Sequence, residues 1–180
     1  MDEPDPQLVA AARAGDTHAF EELVRIYQAP VWRLVVTLVR DRSTAEDVTQ
    51  DAFVRAFRFL HRYRGDCKFT TWLLTVARNS AVDELRRGQR AKRIVDLAGF
   101  QPAAAASDHS IGIEVREAVG ALPITLREPV VLIDMFGVSY KETARILNVP
   151  EGTVKSRVHK ARAQLAETLG EQNAENHGES

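Results

Sequence analysis

The segment from Ser139 to Leu165 combines a predicted turn between two short helices with a cluster of basic and small polar side chains. Ser139 is a favourable N-cap for the first helix. Pro150 separates the two helices, because the residue before a proline is disfavoured in the α region. The second helix has one apolar face at i, i+4, i+7 and i+11, made of Val154, Val158, Ala161 and Leu165. The side chains left for the other faces, together with a threonine in the first turn, are Thr153, Lys155, Ser156, Arg157, His159, Lys160 and Arg162.

A helix that is packed from behind and basic in front fits the major groove of DNA. The alternative is an ordinary solvated helix, since most basic stripes bind nothing specific. In this segment the serine cap, the proline and the cations are all in register with a helix-turn-helix. The pattern therefore favours DNA binding over the alternative.

A second candidate surface lies on the helix that follows Ala45. Val48, Ala52, Phe53, Ala56, Phe57 and Leu60 are predicted to form its buried face. The opposite face carries an acidic stripe at i, i+3, i+4 and i+7, made of Asp47, Gln50, Asp51 and Val54. Such a stripe is either an ordinary solvated face or a docking face for a basic helical partner. The residues alone leave these two readings equally weighted.

A polar loop, 65–71, precedes the next predicted helix and is flanked by the aromatic residues Phe69 and Trp72. Aromatic side chains beside a polar loop can stack on an unpaired base, although each of them is more often a core residue. Asn79 lies in the middle of the helix, where asparagine is unfavourable, and it shares a face with Asp83. Its amide could contact the edge of a base.

The composition restricts where nucleic acid could bind. The chain has 24 basic and 25 acidic residues and a net charge of −1, so affinity for DNA must come from local patches. Cys67 is the only cysteine, which excludes an intramolecular disulfide and a cysteine metal cluster. We expect no metal and no cofactor. No transmembrane span or signal peptide is visible, so we expect a cytoplasmic protein without membrane insertion.

The helical periodicity predicts an all-α protein of two small domains, with strand-like alternation nearly absent. The first domain covers residues 1–90 and the helix-turn-helix domain covers residues 113–169. A flexible linker is expected over 91–112 and a disordered tail over 170–180. Within the first domain we expect Pro30 to break a helix or to open the next one, and Ser43 to form a capping box with Glu46.

Three segments together resemble a known family. AEDVTQDAFVRAF, FTTWLLTVARNSAVDELRR and LPITLREPVVLIDMFGVSYKETARILNVPEGTVKSRVHKARAQL are similar, in this order, to bacterial RNA polymerase sigma factors. The similarity is greatest to the short extracytoplasmic-function (ECF) subgroup of the sigma-70 family. It covers nearly all of the chain except the N-terminus, the linker and the tail.

The resemblance implies a role for each candidate surface. The acidic stripe would bind the β′ clamp of core RNA polymerase, and the β flap is a second implied contact. The helix-turn-helix residues named above would contact the minus-35 element, with Arg157 and Arg162 holding phosphate or packing against the domain. The minus-10 element would be melted and bound by Asp66, Lys68, Phe69, Thr71, Trp72, Asn79, Asp83, Arg86 and Arg87. An anti-sigma factor is a further implied partner.

Two other functions were weighed against this interpretation. A helix-turn-helix regulator with a helical sensing domain would account for the second domain but not for the acidic stripe and the aromatic-flanked loop. A small hydrolase has little support, because the Asp, Glu and His residues lack metal-binding spacing. The sequence therefore predicts a promoter-specificity subunit that is not an enzyme.

Overall fold

The structure is a computed structural model that describes residues 1–97 and 111–178, and the side chains of residues 1–91 and 115–170. Every regular element within these ranges is helical, which confirms the all-α prediction. The helices are α1 (Pro6–Arg13), α2 (Thr17–Val39), α3 (Arg42–Phe59), α4 (Phe69–Leu97), α5 (Ile111–Ala121), α6 (Ile124–Val130), α7 (Tyr140–Leu147) and α8 (Glu151–Gly178). None of these described helices is both long and apolar enough to cross a bilayer.

The first domain packs α2, α3 and α4 against one another, with α1 against α2. Its largest fully buried side chains come from α2, α4 and the 3₁₀ turn after α3, and include Leu23, Tyr27, Leu34, Leu38, Leu60, Leu73 and Leu74. Phe57 is an exception to the predicted buried face of α3. It is 46% exposed and packs edge-on against Phe20, with ring centroids 5.0 Å apart.

Two local predictions in the first domain are wrong. Asp41, not Ser43, caps α3, and its carboxylate accepts from the backbone N–H of Thr44 at 2.7 Å. Aspartate is as good an N-cap as serine, so the earlier residue starts the helix. Pro30 lies inside a continuous α2. The buried face of α2 continues on both sides of the proline, so core packing offsets the hydrogen bond that proline cannot donate.

The second domain has the predicted helix-turn-helix. The Ser139 hydroxyl accepts from the Glu142 backbone N–H at 3.2 Å, and the Glu142 carboxylate accepts from the Ser139 N–H at 3.3 Å. Asn148 ends α7 in the left-handed conformation, with φ of 53°. Val154, Val158 and Ala161 are buried on one face of α8, as predicted.

A buried arginine joins the two domains. Arg127 of α6 is only 8% exposed. Its guanidinium donates to the carbonyl of Leu38 at the end of α2 (2.7 Å) and to those of Gly120 and Leu122 in its own domain. Burial lowers the pKa of Arg127, but a cation at the C-terminal end of a helix is favourable. The contact therefore fixes the end of α2 against the second domain.

Gly120 allows a second contact at the same junction. Arg40 ends α2 with φ of 66° and donates to the Gly120 carbonyl at 2.9 Å. A Cβ atom at Gly120 would lie 2.6 Å from Nε of Arg40, so only glycine leaves room for this approach. These polar contacts accompany a single apolar core cluster that includes buried residues of both domains, such as Leu38 and Leu132.

Two helices extend further than the sequence pattern predicts. Helix α4 continues past residue 90 to Leu97, and α8 continues past residue 169 to Gly178. Residues 98–110 of the predicted linker and residues 179–180 of the predicted tail lie outside the described residues. The domain boundaries, and the mobility of linker and tail, stay predictions.

Candidate protein and nucleic-acid interfaces

The exposed face of α8 carries most of the side chains predicted for the minus-35 element. Lys155, Ser156, His159 and Lys160 are exposed, whereas Thr153 and Arg157 are half-buried. Lys155 pairs with Glu151 one turn earlier at 2.8 Å, and this pairing raises the pKa of Lys155. Among the described residues, these side chains form no hydrogen bond or ion pair outside α8, so the face is open to a ligand.

Arg162 belongs to a different environment. Its guanidinium pairs with both carboxylate oxygens of Asp134, at 3.2 and 2.6 Å. Asp134 lies in the π-helical turn Val131–Met135, which precedes α7. This bidentate pair ties α8 to that turn and favours the packing role for Arg162 over a phosphate contact.

The acidic stripe on α3 is exposed as predicted. Asp47 and Gln50 are exposed, Val54 is 57% exposed, and Asp51 is half-buried. Phe57 continues the apolar part of the stripe by one turn, because it lies on the surface and not in the core. The surface thus joins carboxylates to an apolar patch, which suits a partner helix with both basic and apolar side chains.

A groove between α3 and α4 places two predicted sites side by side. It has a volume of about 710 Å³ and is lined by four acidic and four arginine side chains: Asp47, Asp51, Asp83, Glu84, Arg55, Arg86, Arg87 and Arg90. Arg55 lies between Asp51 and Asp83, with an ion pair of 2.9 Å to each. Asp83 is therefore occupied by Arg55. In the sequence, the i, i+4 spacing of Asp51 and Arg55 indicates the first of these ion pairs, but nothing indicates the pair between Arg55 and Asp83.

The aromatic residues beside loop 65–71 form a cluster. Phe69 is 3% exposed, and its ring centroid lies 5.7 Å from Tyr27, 6.0 Å from Tyr63 and 5.7 Å from Trp72. Phe69 is thus a core residue that supports the loop, while Trp72 is partly exposed. The Tyr63 hydroxyl donates to the carbonyl of Cys67 at 2.6 Å and anchors the loop from below. Burial raises the pKa of the Cys67 thiol.

Carboxylates of the second domain lie on the same part of α4. Glu142 of α7 is 3.1 Å from the Lys68 ammonium group and 3.4 Å from the hydroxyl of Thr71, which is buried. Glu128 of α6 forms a bidentate pair with Arg78, at 2.6 and 3.0 Å.

Asn79 stays on the surface, but its side-chain oxygen is not free. It accepts from Arg78 at 3.1 Å, so Asn79 is linked through one residue to Glu128 of the second domain. Asp66 is exposed, and its carbonyl is 3.5 Å from the guanidinium of Arg145 on α7. Arg86 and Arg87 are exposed at the other end of the surface, where Arg87 pairs with Glu84 at 3.2 Å. The predicted minus-10 residues therefore run from the loop along α4, with Phe69 and Thr71 buried, and the second domain contacts the end near the loop at Asp66, Lys68 and Thr71.

Sequence reasoning missed Glu3 completely. Its carboxylate accepts from the backbone N–H groups of Phe69 (2.8 Å) and Thr70 (3.1 Å) and from the Thr70 hydroxyl. No local pattern signals a contact between residues that are more than 60 positions apart.

Comparison with known proteins matches this architecture to two family models. Sigma-70 region 2 matches residues 23–91, and Sigma-70 region 4 matches residues 113–165. Together they cover more than half of the chain. The chain belongs to the sigma-70 family of RNA polymerase sigma factors. A match to region 2 decides against the alternative of a helix-turn-helix regulator, since the first domain is then the other half of a sigma factor.

Full-length relatives place this sigma factor in the ECF subgroup. It is 39% identical over 167 residues to the ECF RNA polymerase sigma factor SigM of Mycobacterium tuberculosis, covering 92% of this chain and 85% of the relative. It is 35% identical over 176 residues to the ECF RNA polymerase sigma-E factor of Escherichia coli K12, covering 89% and 92%. It is also 34% identical over 182 residues to the RNA polymerase sigma-H factor of Pseudomonas aeruginosa, covering 93% and 94%.

Two solved structures are similar to the whole two-domain arrangement. The first is the sigma factor RpoE in complex with the anti-sigma factor NepR from Bartonella quintana, with a TM-score of 0.72, 26% identity, and coverage of 84% of this chain and 96% of that one. The second is CnrH in complex with the cytosolic domain of CnrY, with a TM-score of 0.70, 28% identity, and coverage of 92% and 97%. The protein is therefore an ECF sigma factor for transcription initiation, which is not an enzymatic role and implies RNA polymerase and promoter DNA as partners.

Proposed function

We propose that this sigma factor binds core RNA polymerase through α3, melts the minus-10 element with α4 and the loop before it, and contacts the minus-35 element with α8. The observation that carries the proposal is the presence of both family regions on one chain, each with an exposed surface of suitable chemistry. Purified chain and core polymerase should co-elute as a stoichiometric complex that transcribes from a promoter selected for it. A chain that binds duplex DNA but never joins core polymerase would contradict the proposal.

The polymerase contact is assigned to Asp47, Gln50, Asp51 and Val54, which would meet the β′ clamp. Their exposure, and the apolar continuation at Phe57, support the assignment. Charge complementarity with a basic helix would speed encounter and fix the register of docking. The β flap would bind the second domain.

The minus-10 contact is assigned to Asn79 and the exposed cations of α4, with loop 65–71 as the support for an unstacked base. A base turned out of the stack exposes its hydrogen-bonding edge, and a pocket can offset the unstacking cost of a few kcal/mol. Lys68, Arg86 and Arg87 are exposed at the two ends of this surface, where they would hold phosphates. Phe69 would act through packing and Asp83 through its pair with Arg55.

The minus-35 contact is assigned to the first half of α8. Lys155, Ser156 and His159 would face base edges, and Lys160 would hold phosphate. The second half of a helix-turn-helix enters the major groove with its N-terminal residues, and this part of α8 is exposed.

Control by an anti-sigma factor in the cytoplasm completes the proposal. Its support is that the two similar solved structures are both complexes, one with an anti-sigma factor and the other with a cytosolic domain. The contact would be tested by co-purification of the full chain with candidate partners.

A further inference from the structure

We propose that Glu3 is a positioning residue of the promoter-melting surface, which caps α4 from outside and holds loop 65–71 in the form that receives the base. This inference rests on the proposed function of that loop. The matched region 2 begins at residue 23, so Glu3 lies outside it. The geometry consists of the three donors of Phe69 and Thr70 that converge on the Glu3 carboxylate.

Helix α4 lacks a cap of its own. A local side-chain cap is present at the start of α1, α2, α3 and α7. The capping residues are Asp5, Asp16, Asp41 and Ser139, respectively. In α4 the residue at the N-cap position is Lys68, whose carbonyl accepts from the Trp72 N–H at 3.1 Å. A lysine side chain cannot accept a hydrogen bond, and a cation is unfavourable at the positive end of a helix.

Glu3 supplies what Lys68 cannot. Its two carboxylate oxygens bind the N–H groups of the first two residues of α4, which would otherwise have no partner within the helix. Its negative charge also lies at the helix end where it is favourable. Glu3 therefore takes the place of a local N-cap.

The segment that carries Glu3 is itself fixed on both sides. The carbonyl of Asp2 accepts from the Tyr27 hydroxyl at 2.8 Å, and Asp5 caps α1 through the Gln7 N–H at 2.8 Å. Pro4 and Pro6 restrict the backbone next to Glu3 and Asp5. Burial, together with the charges of Glu3 and Asp2, raises the pKa of Tyr27 to about 12, so this hydroxyl stays a donor at neutral pH.

The contact of Glu3 with Phe69 and Thr70 affects base capture, because these two residues form the C-terminal end of the loop that would receive the base. The hydrogen bond from Tyr63 to the Cys67 carbonyl holds one side of loop 65–71, and Glu3 holds the other side at Phe69 and Thr70. Without Glu3 the first turn of α4 would fray. The loop would then have to be reordered when it binds a base, which reduces affinity.

An opposite role for Glu3 predicts an opposite result. If the Glu3 carboxylate only kept a DNA phosphate away from the start of α4, its removal would increase binding of the minus-10 strand. If it positions the loop, its removal decreases binding. The sign of the effect therefore separates the two roles.

The test uses holoenzyme assembled from the full chain and core polymerase, with a promoter that the wild-type holoenzyme opens. Affinity for a single-stranded minus-10 oligonucleotide and the rate of promoter opening are measured for Glu3→Ala and Glu3→Gln. Asp16→Ala is the matched control, because it removes the side-chain cap of α2 and leaves the contacts that hold the Glu3 segment in place. Thermal unfolding is recorded for all three variants.

We expect Glu3→Ala to lower minus-10 affinity about five-fold, the size of a typical N-cap contribution. Glu3→Gln should have a smaller effect, because its amide keeps one acceptor oxygen. Affinity for core polymerase and for a minus-35 duplex should be unchanged. Asp16→Ala should lower the unfolding temperature without changing minus-10 affinity. Unchanged or increased minus-10 affinity in Glu3→Ala would overturn the inference, as would an equal loss in Asp16→Ala. A wild-type holoenzyme that opens no promoter would instead contradict the proposed function.

Discussion

The candidate surfaces of the two domains differ in how their side chains are held. On α8, Lys155 and Ser156 make contacts only within their own helix, to Glu151 and to the Thr153 carbonyl. On the first domain, the corresponding side chains are paired across elements: Asp51 with Asp83 through Arg55, Lys68 with Glu142, and Asn79 with Glu128 through Arg78. The side chains on α8 are therefore positioned by their own helix, whereas those on the first-domain surface are positioned by contacts between several segments.

This difference has a functional consequence. Substitutions of Lys155, Ser156 or Lys160 on α8 should change DNA binding and little else. Substitutions of Asp51, Lys68 or Asn79 should also affect the contacts of the first domain, because each of these side chains is paired across elements or linked to a residue that is. The five predictions below test this contrast, beginning with the largest expected effect.

Asp51→Arg should weaken binding to core polymerase by about 100-fold or more. A close charge pair at an interface contributes about 1.5–7 kcal/mol, and a reversed charge adds repulsion. The variant also leaves Arg55 beside a second arginine. Binding affinity and helical circular dichroism are measured together. Glu21→Arg, at an exposed position of α2, is the charge-matched control, and equal affinities for the two variants would contradict the polymerase assignment.

Glu128→Ala should lower the free energy of unfolding by about 2–3 kcal/mol. The Glu128 side chain is 4% exposed, and its removal leaves the largely buried Arg78 without a carboxylate. Chemical denaturation measures the change. Glu167→Ala, on the exposed face of α8, should stay within about 0.5 kcal/mol of the wild type. A similar small value for Glu128→Ala would show that the domain contact does not stabilise the protein.

Asn79→Ala should slow promoter opening about ten-fold without changing binding to a minus-35 duplex. The amide is exposed and would lose one base-edge contact, of about 1–3 kcal/mol. Permanganate footprinting measures the opening of the promoter, and a filter-binding assay measures affinity for the minus-35 duplex. If duplex binding falls while the bubble forms normally, Asn79 has been assigned to the wrong element.

Lys155→Ala should change which promoter sequences are bound, whereas Lys160→Ala should change only the overall affinity for DNA. Loss of Lys155 should relax discrimination at one or two base pairs by about 1–3 kcal/mol. Loss of Lys160 should weaken all promoters alike and reduce the salt slope by roughly 0.9. Arg162→Ala, expected from the sequence to act like Lys160→Ala, should change the slope less because Asp134 already pairs with Arg162. A panel of single-base promoter variants at two salt concentrations measures all three, and an even loss for Lys155→Ala would end its assignment to base contacts.

The smallest effect concerns acid stability. Hydrogen bonds from Ser139, and then the pair with Lys68, lower the pKa of Glu142. A carboxylate with a lowered folded-state pKa stabilises the fold fully above its unfolded pKa of about 4.3 and loses that contribution as pH falls through the folded pKa. Glu142→Gln should therefore flatten the acid side of the stability curve, below about pH 5, by a fraction of 1 kcal/mol. Identical pH profiles would show that neither the hydrogen bonds from Ser139 nor the pair with Lys68 stabilises the ionised form of Glu142.

The parts that could be predicted from the sequence are those set by neighbouring residues. The N-cap at Ser139, the break before Pro150 and the apolar face of α8 all follow from spacings of a few residues. The cap of α3 was misplaced because two good capping residues, Asp41 and Ser43, compete within three positions.

The parts that could not be predicted depend on contacts between distant segments. Pro30 stays inside α2 because the core formed with other helices outweighs its local effect. Phe57 lies on the surface because Phe20 offers it a partner there. Three glutamates contact α4 or the residue before it from distant parts of the chain: Glu3, Glu128 and Glu142. The periodicity of the sequence does not predict such contacts.

The contact between Glu142 and Lys68 limits the distance between the minus-10 surface of the first domain and the minus-35 surface of α8. Glu151, where α8 begins, lies nine positions after Glu142, and this segment spans at most about 32 Å when fully extended. The centres of a minus-10 and a minus-35 element are about 25 base pairs, or roughly 85 Å, apart at 3.4 Å per pair. The two side chains, the α4 segment from Lys68 to Asn79 and the α8 segment from Glu151 to Lys160 add to this span at about 1.5 Å per helical residue. Even with all of them included, the packed chain falls short of the distance between the two elements. Under the proposed assignment, one molecule in this conformation can touch one element at a time. Both elements can be held together only after Arg78 and Arg127 have released their cross-domain partners, so the apparent affinity for a complete promoter is reduced by the fraction of molecules that are extended.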